Sequence, residues 1–222
     1  MSDNKYLAIG DIHGCARSLE ALLDKLAGYN NRQFIFVGDY IDRGPDSRGV
    51  IDLLLDFRKQ ADCIFLRGNH EQMLLDAIEY GETNMWLSNG GRETLESYQS
   101  DDHEIDLSKE HLEFYQTTRL YYDTPDYFFV HAGISPAKTI EQCLEDEELI
   151  KEFLWERSHL NAFDTPWEKT LVFGHTPRPF PIRRNKMLGI DTGCVYDSLG
   201  YGKLTAVLLP EVEFVQQVCL DK

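Results

Sequence analysis

The stretch Phe34-Ile-Phe-Val-Gly-Asp39-Tyr-Ile-Asp42-Arg43-Gly44 sets an apolar, β-branched and aromatic run directly before a glycine and a cluster of charged side chains. Such a run reads as a buried strand whose end releases the charged cluster into a loop. The same grammar recurs in Tyr6-Leu-Ala-Ile-Gly-Asp11-Ile-His13-Gly14, Cys63-Ile-Phe-Leu-Arg67-Gly-Asn69-His70-Glu71, Tyr127-Phe-Phe-Val-His131-Ala-Gly133 and Leu171-Val-Phe-Gly-His175-Thr176. Open α/β sheets keep their sites where strands end, so these residues are expected to gather there.

Helical patterns separate the first three strands. Leu19, Leu22, Leu23 and Leu26 follow i, i+3, i+4, i+7 spacing, with Ser18 as the expected cap and Gly28 near the end. Val50, Leu53, Leu54 and Phe57 carry a second helix, and Met73, Leu74, Ala77 and Ile78 a third, before Gly81. Strands alternating with helices predict a parallel sheet. Residues 82–118 are polar with weak periodicity around Leu107 to Tyr115, and are expected to form helices and loops, a candidate lid. From Tyr121 onward strands dominate, including Met187 to Ile190 and a hairpin of Leu204 to Leu209 and Val212 to Val218 split by Pro210. These predict a second, more antiparallel sheet and a single α/β domain over residues 1–222: a sandwich of two sheets with helices outside.

Composition narrows the partners. Asp and Glu number 38 against 22 Lys and Arg, a formal charge of −16, which repels nucleic-acid backbones. The densest acidic run, Glu141 to Glu152, reads as a solvated helix face. Met1 to Lys5 is polar, and the apolar run from Tyr6 is too short for a signal peptide or a membrane span, so a cytoplasmic location and no membrane partner are expected. Five scattered cysteines, odd in number and without Cys-x-x-Cys spacing, suggest neither a disulfide framework nor structural zinc. Cys15, beside Gly14, reads as a small residue filling a loop.

The residue types at the strand ends suit metal-assisted phosphoester chemistry. Asp11 and His13 can aim at one ion, and Asp39 can lend one carboxylate oxygen to each of two ions held about 3.5–4 Å apart. Asn69, His131 and His175 would complete the second ion. Oxygen and imidazole donors without thiolate favour Mn, then Fe or Zn, over Mg or Ca. Hydrolysis of a phosphomonoester further needs an Arg fork for the equatorial oxygens and an oriented acid for the leaving oxygen. Arg43 suits the first task and His70 paired with Asp42 the second, whereas Arg67 is expected to brace its loop. Two divalent ions and the arginines would make a positive pocket in an acidic body.

Taken together, Gly-Asp-Ile-His-Gly, Gly-Asp-Tyr-Ile-Asp-Arg-Gly, Gly-Asn-His-Glu, His-Ala-Gly and Gly-His-Thr closely resemble the phosphoprotein phosphatase family of metallophosphoesterases over roughly residues 5–210, particularly its small bacterial and bacteriophage branch. The resemblance implies an αββα sandwich with a binuclear centre, one ion on Asp11, His13 and Asp39, the other on Asp39, Asn69, His131 and His175. It further implies His70 as general acid supported by Asp42, with Arg43 and Asn69 at the substrate phosphate. Leu154-Trp155-Glu156-Arg157 resembles the family's bacterial Trp-x-Arg segment, which makes Arg157 the candidate second phosphate-binding arginine. Asp191 in Asp-Thr-Gly reads as a turn residue. The chain is shorter than the eukaryotic members and has little room for their regulatory-subunit grooves.

The expected activity is therefore removal of phosphate from phosphoserine and phosphothreonine in proteins, with a symmetrical dinucleoside polyphosphate hydrolase, or a broad small-phosphoester hydrolase, as the alternative. Asp42-Arg43 after Gly-Asp-Tyr-Ile looks more like the protein phosphatases. A non-catalytic binding module would have lost His70, Asp42 or Arg43, and all three are present.

Overall fold

The computed structural model describes residues 5–99 and 106–221. Its elements run β1 (Tyr6–Ile9), α1 (Ala16–Leu26), β2 (Gln33–Phe36), α2 (Ser47–Phe57), β3 (Cys63–Phe65), α3 (Asn69–Tyr80), α4 (Thr83–Trp86), α5 (Arg92–Tyr98) and α6 (Lys109–Thr117), then β4 (Tyr121–Asp123), β5 (Tyr127–Val130), α7 (Ile140–Leu144), α8 (Glu147–Glu152), β6 (Thr170–Phe173), β7 (Ile182–Arg184), β8 (Met187–Gly189), β9 (Lys203–Leu209) and β10 (Glu213–Val218). One sheet has the order β10-β9-β1-β2-β3 and the other β4-β5-β6-β8-β7.

Alternation along the strands explains the layers. Leu7, Ile9, Phe34 and Phe36 face α1, α2 and α3 in one apolar cluster, while Tyr6, Ala8, Ile35 and Val37 face the other way and meet Phe129, Val172, Leu188 and Val207 between the sheets. A third cluster, with Phe128, Val130, Leu171 and Phe173, covers the outer face of the second sheet. Strands covered on both faces read as continuous apolar runs, which is why β1, β2, β5 and β6 stood out in the sequence.

Five expectations are corrected. The second sheet is no more antiparallel than the first: β5, β6 and β8 are parallel, and only β4 and β7 at its edges run antiparallel. The β9–β10 hairpin belongs to the first sheet, because β9 pairs with the free edge of β1 (Tyr6 opposite Leu209). Ser18 lies inside α1 and Cys15 takes the cap position; the Ser18 hydroxyl instead accepts from Leu220 N at 2.8 Å and pairs with Asp221. The acidic run forms two short helices, because Asp146 accepts from Glu148 N and Leu149 N and starts α8 afresh. Residues 82–118, as far as they are described, are not a lid either: Trp86, Leu95, Phe114 and Tyr115 are built into the main core.

Candidate binuclear metal centre

The loops after β1, β2, β3, β5 and β6 meet at one end of the sandwich, and their backbones are bent hard to do so. Eight non-glycine residues have positive φ among those described, and five are candidate site residues: His13, Asp39, Asp42, Arg43 and His175. Left-handed backbone costs of order 1–3 kcal/mol at such residues and persists where the surroundings impose it. Glu71 imposes much of it here. Its buried carboxylate accepts from Gly68 N (2.8 Å), Asp39 N (2.9 Å), Tyr40 N (2.8 Å) and Ile41 N (3.4 Å), so the β2 and β3 loops close around one side chain. Gly68 is required at this crossing, since a Cβ there would lie 2.1 Å from Asp39 Oδ1.

Asp39 sits at the centre, buried, with its two oxygens directed to different partners. Oδ1 is 3.3 Å from His131 Nε2, and Oδ2 is 3.5 Å from His13 Nε2 and 3.9 Å from His70 Nε2. Asn69 Oδ1 lies 3.0 Å from His131 Nε2 and 2.9 Å from His175 Nδ1, and those two ring nitrogens are 3.1 Å apart. Nδ1 of His131 lies 2.9 Å from Val37 O, and Nδ1 of His13 lies 2.9 Å from Ile41 O. A proton on each of these Nδ1 atoms leaves both Nε2 lone pairs aimed inward. Burial, then the neighbouring His131, lowers His175 to about 2, and burial lowers His13 to about 3, so both are neutral donors. Burial opposes protonation of His131, but the charge of Asp39 outweighs it and raises His131 above its ordinary value. Imidazole and carboxylate groups this close are what a cation would hold together in place of that proton, and two donor groups sharing the two oxygens of Asp39 fit a pair of divalent ions.

Asp11 reaches the same buried point from the loop after β1. Its carboxylate accepts from His175 N (3.1 and 2.9 Å) beside Asp191 and Asp39, and the donors nearest His13 are Asp39 and His70. Burial, with the neighbouring carboxylates of Asp191 and Asp39, holds the Asp11 carboxyl well above its ordinary value. Asp191 makes the turn expected of it, accepting from Gly193 N at 2.8 Å. Its carboxyl is pushed up to about 7 by burial. Three buried carboxylates facing one another are a strong demand for positive charge.

His70 and Asp42 are joined as expected, Nδ1 to Oδ2 at 2.6 Å. Burial opposes protonation of His70, but the carboxylates of Asp39 and Asp42 outweigh it and raise His70 above its ordinary value. Asp42 is held by donors invisible in the sequence pattern: Trp86 Nε1 at 3.0 Å and Thr94 Oγ1 at 2.6 Å, while its own N–H reaches Ser47 Oγ and Thr94 Oγ1. Trp86 and Thr94 come from the segment taken for a lid. A tryptophan in a polar tract just ahead of Asn89-Gly90-Gly91 was the available signal.

Arg43 reaches His13 Nε2 with Nη1 at 2.7 Å and lies over the Tyr196 ring, 5.9 Å from its centroid. Its N–H donates to Gly90 O at 3.1 Å, and a Cβ on Gly90 (φ 106°) would lie 2.6 Å from Arg43 Cγ. On the other side, exposed Arg157 donates from Nε to Thr176 Oγ1 (3.3 Å), next to His175, and among the described residues makes no ion pair with the acidic run. Trp155 meets the His175 ring edge-on. Arg67 braces its loop, donating to Thr118 Oγ1, Gln72 Oε1 and the Gln116 carbonyl. Of the histidines set aside, His111 bonds Tyr98 and Asp52, His159 is buried against Phe173 under Gly133, and His103 lies outside the described residues.

Comparison with known proteins agrees with this geometry. Residues 5–207 match the family described as calcineurin-like phosphoesterase. The chain belongs to that family. It is 35% identical to the asymmetrical bis(5'-nucleosyl)-tetraphosphatase PrpE of Oceanobacillus iheyensis, over 93% of this chain and 89% of the relative. Among solved structures it resembles one named for a proposed diadenosine tetraphosphatase activity, with TM-score 0.69, 23% identity and coverage of 99% and 95%. It also resembles a cold-active protein-tyrosine phosphatase of a Shewanella species, with TM-score 0.66, 17% identity and coverage of 100% and 80%. The likenesses to solved structures concern the fold. This family member is a phosphoester hydrolase with His and Asp groups able to bind metal, and among its described residues no helix is long and apolar enough to cross a membrane.

Proposed function

We propose that the protein hydrolyses dinucleoside tetraphosphates, splitting the polyphosphate asymmetrically at a centre of two divalent ions, Mn foremost and Fe or Zn as substitutes. The observation that carries this reading is the identity with asymmetrical tetraphosphatases along nearly the whole chain. It reverses the order set by the Asp42-Arg43 pair, which favoured phosphoproteins, and it replaces symmetrical by asymmetrical cleavage.

The ions would be held by His13 and Asp39 on one side, with Asp11 lining that half, and by Asp39, Asn69, His131 and His175 on the other. When bound they supply Lewis-acid polarisation of the phosphoryl oxygens and an activated water. The chain's own residues do the rest. Val37 O and Ile41 O fix two imidazoles as Nε2 donors. Arg43 and Arg157, from opposite sides, grip the phosphoryl oxygens. His70, oriented by Asp42 through Nδ1, carries its other proton on Nε2, facing the centre and the leaving oxygen.

Dephosphorylation of phosphoserine and phosphothreonine is the second reading, favoured by Asp42-Arg43 itself, since a charged dyad beside an arginine suits the poor alkoxide leaving group of a phosphomonoester. Incubating Mn(II)-loaded protein with diadenosine tetraphosphate and, separately, with a phosphoserine peptide decides between them. The proposal expects ATP and AMP in equal amounts and much slower release of phosphate from the peptide. Two ADP per substrate, or faster turnover of the peptide, overturns it.

A further inference from the structure

Three of the five cysteines, far apart in sequence, converge. The Sγ atoms of Cys15, Cys194 and Cys219 all lie within 4.8 Å of one another. Cys15 caps α1 behind the His13 loop, Cys194 follows the Asp191-Thr192-Gly193 turn, and Cys219 leaves the end of β10. Cys15 and Cys194 are buried and Cys219 is half-buried. The tail that carries Cys219 is fixed: Cys219 N donates to Gly202 O (2.9 Å), Leu220 N to Ser18 Oγ (2.8 Å), and Asp221 accepts from Arg17 N and Ser18 N.

We infer that Cys15, Cys194 and Cys219 form a three-thiolate site for a soft monovalent metal ion, Cu(I) by its chemistry, separate from the phosphoester centre. Metal–sulfur bonds of about 2.3 Å in a planar trigonal arrangement need sulfurs about 4.0 Å apart, so the cluster closes on an ion with shifts of under about 1 Å. Thiolates select soft ions over Mn(II), and zinc normally takes a fourth His, Cys or carboxylate, which this cluster lacks among the described residues. Sulfhydryl contacts with Cys15 and burial raise the Cys194 thiol, and contact with Cys194 raises that of Cys219. Thiols held neutral are poor targets for peroxide, and a cation replaces their protons directly. The site also touches the other centre, since Cys15 Sγ donates to His13 O at 3.5 Å. Filling it pulls on the loop that presents the His13 imidazole.

The test is anaerobic titration of the reduced, metal-stripped protein with Cu(I) against a competing chelator. Bound copper and the ultraviolet thiolate-to-copper charge-transfer band are the readouts. One ion per chain is expected to outcompete the chelator in wild type and in a Cys63→Ser, Cys143→Ser double variant. Affinity should fall at least a hundredfold in Cys194→Ser and, as a milder variant at the half-buried edge, in Cys219→Ala, each with a native circular dichroism spectrum. Hydrolysis by Mn(II)-loaded protein should slow on adding Cu(I) in wild type and be insensitive to it in Cys219→Ala. No band in wild type, an affinity unchanged in both single variants, or Zn(II) displacing Cu(I) would each overturn the assignment.

Discussion

His70, the proposed general acid, shows how little of such a role resides in its own side chain. Its proton is placed by Asp42, and Asp42 in turn by Trp86 and Thr94. General-acid assistance typically contributes 10²–10⁴-fold, and most where the leaving oxygen is basic. His70→Asn should therefore lower kcat on a phosphoserine or alkyl phosphate by about that range and on diadenosine tetraphosphate by much less, with both ions retained. Steady-state kinetics on the two substrates and metal analysis check this. The protonated form is the active acid and His70 is raised by neighbouring carboxylates, so kcat should fall as pH rises through its pKa. In Asp42→Asn that limb should move to lower pH, because a charge that stabilised the imidazolium is gone. Arg43 is similarly placed by another residue. Gly90→Ala should cost about 1–3 kcal/mol in stability, since alanine strains at φ 106°, and raise KM more than it lowers kcat, as the new Cβ displaces Arg43. Chemical denaturation and kinetics would separate the two effects.

Elements divide by how locally they are determined. The strands entering the site were legible because each is a run covered on both faces, and the candidate ligands because each follows such a run. The His70–Asp42 pair was legible too, from its chemistry. Trp86, Thr94 and Glu71 were not, since their roles depend on α4, α5 and α3 docking across loops whose closing contacts span 52 residues for Thr94. The hydrogen bond of Asp11 was hidden for the same reason: spacing gives its loop, and only the arrival of the β6 loop gives its donor, His175 N. β4 and β7 are short edge strands, too brief to stand out. The β9–β10 hairpin is anchored from the residue just before β2: Arg32 is buried and forks onto Glu211 with two contacts of 2.8 Å. That pair holds the Glu211 carboxyl down at about 2 against an ordinary 4.5. A depressed carboxyl contributes stability above its unfolded pKa and loses it as pH falls toward the folded one. Wild type should thus lose stability relative to Glu211→Gln between about pH 4.5 and about pH 2, and exceed it at pH 7, in thermal melts across that range.

At the scale of the molecule, a body of formal charge −16 concentrates Asp11, Asp39 and Asp191 at one buried point where two ions are expected. The ions are then part of the fold's electrostatics as well as its chemistry. Ligand held at about a hundred times its dissociation constant stabilises by about 2.7 kcal/mol. Chelation should accordingly lower Tm by roughly 5–11 °C for a chain of this size, and Mn(II) should restore it. The central claim is that Asp39 bridges two ions and that hydrolysis needs both. Its most direct measurement is a Mn(II) titration of metal-stripped protein, following bound metal and exchange-coupled electron paramagnetic resonance alongside turnover of diadenosine tetraphosphate, for wild type and Asp39→Asn. Wild type should bind two coupled ions, with turnover tracking the second, and Asp39→Asn should lose the coupling and at least a hundredfold of kcat. Full turnover with one ion bound, or a coupled pair persisting in Asp39→Asn, would contradict the account.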